Sequence, residues 1–304
     1  MHELDELIIE LSQNCNLNCT MCGFGSKNNR PEKFMEFELF KTIYNNIGKY
    51  AKKIRLNGRG ESTIYPNIKE AIDYVGRKNR ISLFTNGNYI DDDLNDLFIK
   101  FDVELYFSMD STDRNQLIQI RKGLNFDCLD HNISRMKDKK TKPFIVFTLQ
   151  ETNIDQIVPI AEYAIKKECN LIYNVLRRDE GIEKFVEIVE ENVDKIKEYF
   201  DEVHYKFENL NIKVFIPNQI AGVIIEARVE TSTCGTFEKC PRIDKELCVL
   251  YNGDITPCNM FNPYIYGNLN NASIDDIING EAAKWFKENH KQFYYCQNCA
   301  CIVR

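Results

Sequence analysis

Three cysteines, Cys15, Cys19 and Cys22, fall in the segment Cys15-Asn-Leu-Asn-Cys19-Thr-Met-Cys22, a CxxxCxxC spacing. A loop of this length can wrap three thiolates around one corner of a cubane [4Fe–4S] cluster, whose usual protein ligands are thiolates. Such a cube has four irons, so three thiolates leave one iron open. An open coordination position is where a metal centre takes a substrate or cosubstrate. The competing reading is a zinc knuckle or unconnected structural cysteines. The polar clusters that follow favour the open cluster.

Each of those clusters follows a short apolar run. The first is Leu56-Asn57-Gly58-Arg59-Gly60-Glu61-Ser62-Thr63. Its glycines let backbone approach a ligand closely, and Glu61 adds a carboxylate able to pair with an ammonium. The second is Thr85-Asn86-Gly87, and the third is Phe107-Ser108-Met109-Asp110-Ser111. Singly, such stretches are ordinary turns. Placed after successive strands, they form the rim of one site.

An alternation of strands and helices has to position these clusters. Apolar runs at 7–11, 54–56, 81–84, 103–107, 144–149 and 171–175 read as strands. Between them, apolar residues recur at helical spacing, as in Phe40, Ile43, Tyr44 and Ile47, and in Ile68, Ala71, Ile72 and Val75. Six such units imply a parallel sheet with right-handed crossovers. A full barrel needs eight units, so the expected fold is α/β, a partial (β/α)6 barrel with active loops at the C-terminal strand ends. A single long amphipathic helix is expected over Ile182 to Val203, and a further strand over Asn211 to Ile216. Beyond that the cysteines become dense, which sets the expected domains at 1–225 and 226–304.

The chain has 304 residues, 43% of them hydrophobic and 28% charged, with a net charge of −7. That balance suits a globular enzyme and argues against a general nucleic-acid binder, which would show a basic face. No apolar run approaches the ~20 residues of a membrane span. The acidic start, Met1-His2-Glu3-Leu4-Asp5-Glu6, is not a signal peptide. The expected location is therefore the cytoplasm, where the 12 cysteines would be mostly thiols.

With CxxxCxxC after the first strand, Gly58-Arg59-Gly60-Glu61 after the second and Ser108 after the fourth, residues 7 to about 175 resemble the radical S-adenosylmethionine (SAM) superfamily. The resemblance implies that Cys15, Cys19 and Cys22 hold a [4Fe–4S] cluster whose open iron chelates the amino and carboxylate groups of SAM. It implies that Gly58, Gly60 and Glu61 recognise the methionine amine, that Ser108 contacts the ribose and that Met21 lies beside the adenine. Ser62, Asn86 and Arg121 complete the implied cosubstrate pocket. Two positions depart from the family pattern. Ser62 stands where proline is usual, and Met21 where an aromatic residue is common. Both keep the backbone contacts possible. The implied chemistry is one-electron cleavage of the sulfonium, giving methionine and a 5′-deoxyadenosyl radical that removes a hydrogen atom from a C–H bond. A flavodoxin- or ferredoxin-type electron donor is the implied partner.

The second concentration of cysteines is Cys234, Cys240, Cys248, Cys258, Cys296, Cys299 and Cys301. Asn252-Gly253-Asp254 reads as a hairpin turn, and a helix near Ile274 to Asn289 follows. A module of about 80 residues is marginal without a metal staple. One reading is a four-cysteine zinc ribbon from Cys240, Cys258, Cys296 and Cys299. The segment also resembles the SPASM/twitch extension of the same superfamily. That implies an auxiliary [4Fe–4S] cluster on those four thiolates, with Cys234 or Cys301 able to replace one. The short stretch after Cys299 points to the one-cluster twitch version. Fully ligated, such a cluster would carry electrons and not bind substrate.

Cys248 lies in the hairpin between these ligands. The plain reading is a buried strand thiol. The functional reading is a hydrogen-atom donor, since radical SAM epimerases as a group quench their substrate radical with a cysteine. Asp110 and Arg178, with Arg121, are candidates to hold a polar or anionic substrate. The expected function is radical SAM chemistry on a polar substrate, either a sugar- or aminocyclitol-like molecule or a peptide. Epimerisation through Cys248 comes first. Alcohol dehydrogenation with the auxiliary cluster as electron acceptor is second, and peptide maturation third. Only 14 residues precede Cys15, so this reading includes no fused leader-peptide-binding domain.

Overall fold

A computed structural model describes residues 3–22, 33–176, 182–217, 219–220, 223–224, 240, 242–259, 264–293 and 296. The chain opens with β1 (Leu4–Ile9), the two-residue β2 (Asn18–Cys19) and helix α1 (Phe37–Ile47). Two more units follow: β3 (Ala51–Arg55) with α2 (Ile68–Gly76), and β4 (Arg80–Thr85) with α3 (Asp92–Lys100). Next come β5 (Glu104–Ser108), α4 (Arg114–Ile120), the short β6 (Arg121–Lys122) and α5 (Phe126–Ser134). The series continues with β7 (Phe144–Leu149), α6 (Ile157–Lys166), β8 (Asn170–Val175), α7 (Ile182–Glu191) and α8 (Val193–Phe207). β9 (Val214–Phe215) and the antiparallel pair β10 (Gln219–Ile220) and β11 (Val223–Ile224) come next. The C-terminal region supplies β12 (Glu246–Val249), β13 (Asp254–Thr256), β14 (Gly267–Asn268), α9 (Ile274–Asn279) and α10 (Glu281–Asn289).

The six expected units are present. Strands β1, β3, β4, β5, β7 and β8 lie side by side and parallel, each followed by at least one helix. This is the α/β, partial (β/α)6 barrel. Burial on both faces explains the near-continuous apolar text of these strands. In β1, Leu7 and Ile9 join the main core under the helices. Ile8 faces the other way, into the lumen, where it packs with Cys248 and Leu250. Deeper in the lumen, Lys53 Nζ lies 3.3 Å from both Glu6 and Glu104 carboxylates. Phe84, Tyr106 and Phe144 stack across neighbouring strands at 4.3 and 4.7 Å.

One feature differs from the sequence expectation. The long helix is two helices, parted at Asn192. There the side-chain amide donates to the Ile188 carbonyl at 2.8 Å, competing with the backbone ladder. The C-terminal region joins the barrel sheet: β12 pairs in parallel with the free edge of β1, with Cys248 opposite Ile8. Antiparallel β13 and β14 continue outward to make a ten-stranded sheet. The expected division between 225 and 226 falls outside the described residues.

Candidate functional site

The cysteine loop leaves the C-terminal end of β1 and is laced to three other parts of the rim. From the loop after β3, Gly60 N donates to Ser12 O at 3.0 Å, and Glu61 N donates to Asn14 O at 2.8 Å. From the end of β4, Asn86 Nδ2 donates to Asn16 Oδ1 at 2.8 Å. β2 pairs antiparallel with β6, setting Cys19 opposite Arg121. Within the loop, Leu17 N points at Cys15 Sγ at 3.5 Å. Cys19 is buried, while Cys15, Cys22 and Met21 are half-buried.

The glycine loop owes its glycines to this lacing. A Cβ on Gly60 would stand 2.2 Å from Asn14 O and 2.6 Å from Ser12 O. A Cβ on Gly58 would stand 2.0 Å from Glu10 Cγ. Beside the ligand approach expected from the sequence, the protein's own neighbouring segments demand these glycines. Glu61 also has partners within the protein. Its Oε2 accepts from Asn86 N at 2.8 Å, and its Oε1 accepts from Thr63 N at 3.1 Å and Thr63 Oγ1 at 2.9 Å. Burial pushes its pKa up, and these donors oppose the rise. The carboxylate therefore ties the β3 and β4 ends together.

Arg121 arrives at the C-cap of α4, a helix started by Asp113, whose Oδ1 accepts from Gln116 N at 2.7 Å. The guanidinium is buried. Its Nε lies 2.7 Å from Asp110 Oδ2, a close ion pair that is not aligned as a hydrogen bond. Its Nη1 lies 4.0 Å from Cys19 Sγ. Burial raises the Cys19 pKa and Arg121 counters it, the electrostatics a thiolate ligand needs. Asp110, expected as catalytic, is fully enclosed, and its Oδ1 accepts from Thr148 N at 2.8 Å. It pairs with Arg121. Ser108 ends β5 half-buried. Arg178 lies outside the described residues.

In the C-terminal region, Cys240, Cys258 and Cys296 are half-buried, while Cys299 and its possible substitutes Cys234 and Cys301 lie outside the described residues. Cys258 follows β13, where Thr256 Oγ1 donates to its carbonyl at 3.1 Å. The Tyr266 hydroxyl has its pKa raised by burial, with smaller contributions from Cys258, Asp244, Tyr264 and Cys240. Tyr264, Tyr266, Phe286 and Phe293 surround this region, with Tyr264 and Phe286 centroids 4.9 Å apart. Cys248 is 1% exposed on the lumen face of β12, and burial pushes its thiol up to about 12. It keeps its proton at neutral pH.

The residues fit the groups the motifs imply. The loop thiols sit beside a backbone N–H and a guanidinium, both suited to anionic sulfur. Ser62 Oγ and Gln150 Nε2 are buried on the rim without a protein partner, as a polar cosubstrate would require. Among the described residues, no three Cys, His, Asp or Glu side chains are gathered as a ready single-ion site. The fit therefore rests on the loop and its donors. Gln150, Gln13 and Glu10 escaped the sequence reading. Their signal was a polar residue directly after, or just beyond, an apolar strand run. Among the described residues, no helix is long and apolar enough to cross a membrane.

Comparison with known proteins agrees with this geometry. Residues 9–164 match the radical SAM superfamily, and residues 240–300 match SPASM, an iron–sulfur cluster-binding domain. A tungsten-containing aldehyde ferredoxin oxidoreductase cofactor-modifying protein of Pyrococcus furiosus is 24% identical over 324 residues, covering 97% of this chain and 86% of that one. The fold also matches SuiB of Streptococcus suis bound to S-adenosylmethionine, with TM-score 0.72, 16% identity, and coverage of 98% of this chain and 71% of that one. SuiB has also been solved bound to its precursor peptide SuiA. A further match is anSMEcpe with bound AdoMet, with TM-score 0.71, 18% identity, and coverage of 97% of this chain and 88% of that one. The chain therefore belongs to the radical SAM superfamily, as an enzyme with a C-terminal SPASM domain whose cofactors are SAM and two [4Fe–4S] clusters.

Proposed function

We propose that this protein removes a hydrogen atom from a C–H bond of a polar substrate, a peptide or a sugar-like small molecule, and inverts that carbon with Cys248 as hydrogen donor. The observation that carries the epimerase reading is the placement of Cys248. Among the described residues it is the cysteine outside the ligand sets that faces the lumen, on the strand paired with β1. Cys128 lies on α5, and Cys169 belongs to the core on the helix side. The peptide side of the substrate class draws on SuiB, whose structure holds a precursor peptide.

In this reading Cys15, Cys19 and Cys22 hold the first cluster, and Cys240, Cys258, Cys296 and Cys299 hold the second. When bound, the first cluster and SAM supply a 5′-deoxyadenosyl radical by one-electron cleavage of the sulfonium. The chain's own residues do the rest. Gly58 to Ser62, Met21, Asn86, Ser108 and Arg121 hold SAM against the cysteine loop. Arg121, fixed by Asp110, keeps positive charge beside Cys19. The lumen walls exclude water. Cys248 delivers its S–H hydrogen to the substrate carbon from the side opposite abstraction. The resulting thiyl is returned to thiol by an electron from a flavodoxin- or ferredoxin-type donor and a proton. Its enclosure by Ile8 and Leu250 means that substrate must reach it by displacing that apolar cover.

The test uses the full chain, reconstituted anaerobically and reduced with dithionite. Without substrate, it should release 5′-deoxyadenosine from SAM; failure here overturns the whole reading. With substrate in deuterated water, the product should keep its formula and gain one carbon-bound deuterium, and Cys248→Ala should lose inversion. A product two mass units lighter, made equally by Cys248→Ala, would establish dehydrogenation instead.

A further inference from the structure

We propose that Glu10 is a positioning residue that couples the C-terminal hairpin to the SAM site. It follows β1 and is 0% exposed. A buried carboxylate needs donors around it, and here they come from three separate segments. Oε1 accepts from Arg59 N at 3.0 Å, in the glycine loop, with Arg59 Nε at 3.8 Å. Oε2 accepts from Gln13 Nε2 at 3.0 Å, at the entry to the cysteine loop. Oε2 also accepts from Tyr251 N at 3.4 Å, in the turn between β12 and β13. The stem of the side chain fills the space that a Cβ on Gly58 would need.

A second chain of contacts closes the circuit. Lys33 Nζ lies over the Tyr251 ring, 5.3 Å from its centroid, and the Lys33 carbonyl accepts from Gln13 N at 2.9 Å. Glu61, the other enclosed carboxylate of the rim, bonds only barrel segments in the contacts described above. Glu10 instead bridges to the C-terminal region. The same hairpin continues through β13 to Cys258. A shift of that hairpin would thus pull on the carboxylate that sets the backbone of residues 58–60. The inference rests on reading the cysteine and glycine loops as the SAM site and Cys258 as an auxiliary ligand.

The experiment is a double-mutant cycle on the full reconstituted chain, reading SAM affinity by equilibrium dialysis and the SAM-induced change in the electron paramagnetic resonance signal of the reduced protein. Glu10→Gln keeps the shape. Its carbonyl can still accept from Arg59 N, but its amide cannot accept from Gln13 or Tyr251. SAM affinity should fall about tenfold, the scale of a lost hydrogen bond to a buried charge, and the spectral change should shrink. Cys258→Ala should weaken SAM several-fold in the parent and add nothing in Glu10→Gln. Unchanged SAM affinity in Glu10→Gln, or equal effects of Cys258→Ala in both backgrounds, overturns the inference while leaving the SAM site standing. A parent that binds no SAM overturns the functional reading itself. Glu10→Ala extends the series, with thermal unfolding reporting whether it is folded; Glu10→Gln decides the outcome if it is not.

Discussion

The two cysteine regions are built on opposite principles. At the N-terminus three thiols lie within a few residues of each other, on a loop that packs Leu17 and Cys19 into the core. Its shape is set by backbone hydrogen bonds from the end of β3 and the α4–β6 corner and by a side-chain hydrogen bond from the end of β4. At the C-terminus the candidate ligands are spread along the sequence from Cys240 to Cys299. There Cys258 follows a hairpin docked on β1, and an aromatic cluster packs in the same region. Polar lacing is directional and fails when one segment moves by an ångström. Aromatic packing is non-directional and fails by losing buried area.

The sharpest way to break this contrast is Gly60→Ala. With main-chain oxygens at 2.2 and 2.6 Å from the new Cβ, neither segment can give way cheaply. We expect at least a hundredfold loss of 5′-deoxyadenosine formation, on the order of the 3 kcal/mol that overpacking a rigid site costs. The C-terminal cluster should still form, as iron and sulfide content and its spectrum would report. Loss of both clusters would mean the regions are not separately built.

Phe286→Ala is the converse. Phe286 is enclosed among Tyr264, Tyr266 and Phe293. Its truncation should cost about 3–5 kcal/mol, seen as a lower thermal midpoint and loss of the auxiliary iron. SAM cleavage should survive in part. Complete abolition of SAM binding, with the barrel still folded, would show that the coupling through Glu10 dominates over local packing.

The smallest effect concerns pH. Cys248 and Cys169 both have thiols raised by burial to about 12, from an ordinary value of 9.0. The unfolded chain ionises them above pH 9 while the folded chain does not. Their contribution to stability is therefore complete below about pH 9 and is lost as pH rises toward 12. Each thiol contributes a slope of at most about 1.4 kcal/mol per pH unit in that window. Cys248→Ala should remove part of the alkaline slope of the unfolding free energy, and an unchanged slope would mean that Cys248 is not sealed in the lumen.

Much of this protein was legible in its residues. The alternation of short apolar runs with helical stripes gave the six parallel units, because strand and helix periods differ and each leaves its own imprint on sequence. The CxxxCxxC segment was equally plain, because its ligands are neighbours in the chain and spacing alone fixes their reach. Tertiary structure decided what depends on distant partners. The space beside Gly58 and Gly60 is taken up by Glu10 and by the cysteine loop's carbonyls. Asp110 became a holder of Arg121, Glu61 a tie between strand ends, and the C-terminal hairpin an extension of the barrel sheet beside β1. None of these pairings leaves a local pattern. A hydrogen bond between Glu10 and Tyr251 depends on which edge of β1 is free, and that is known only once the sheet has formed.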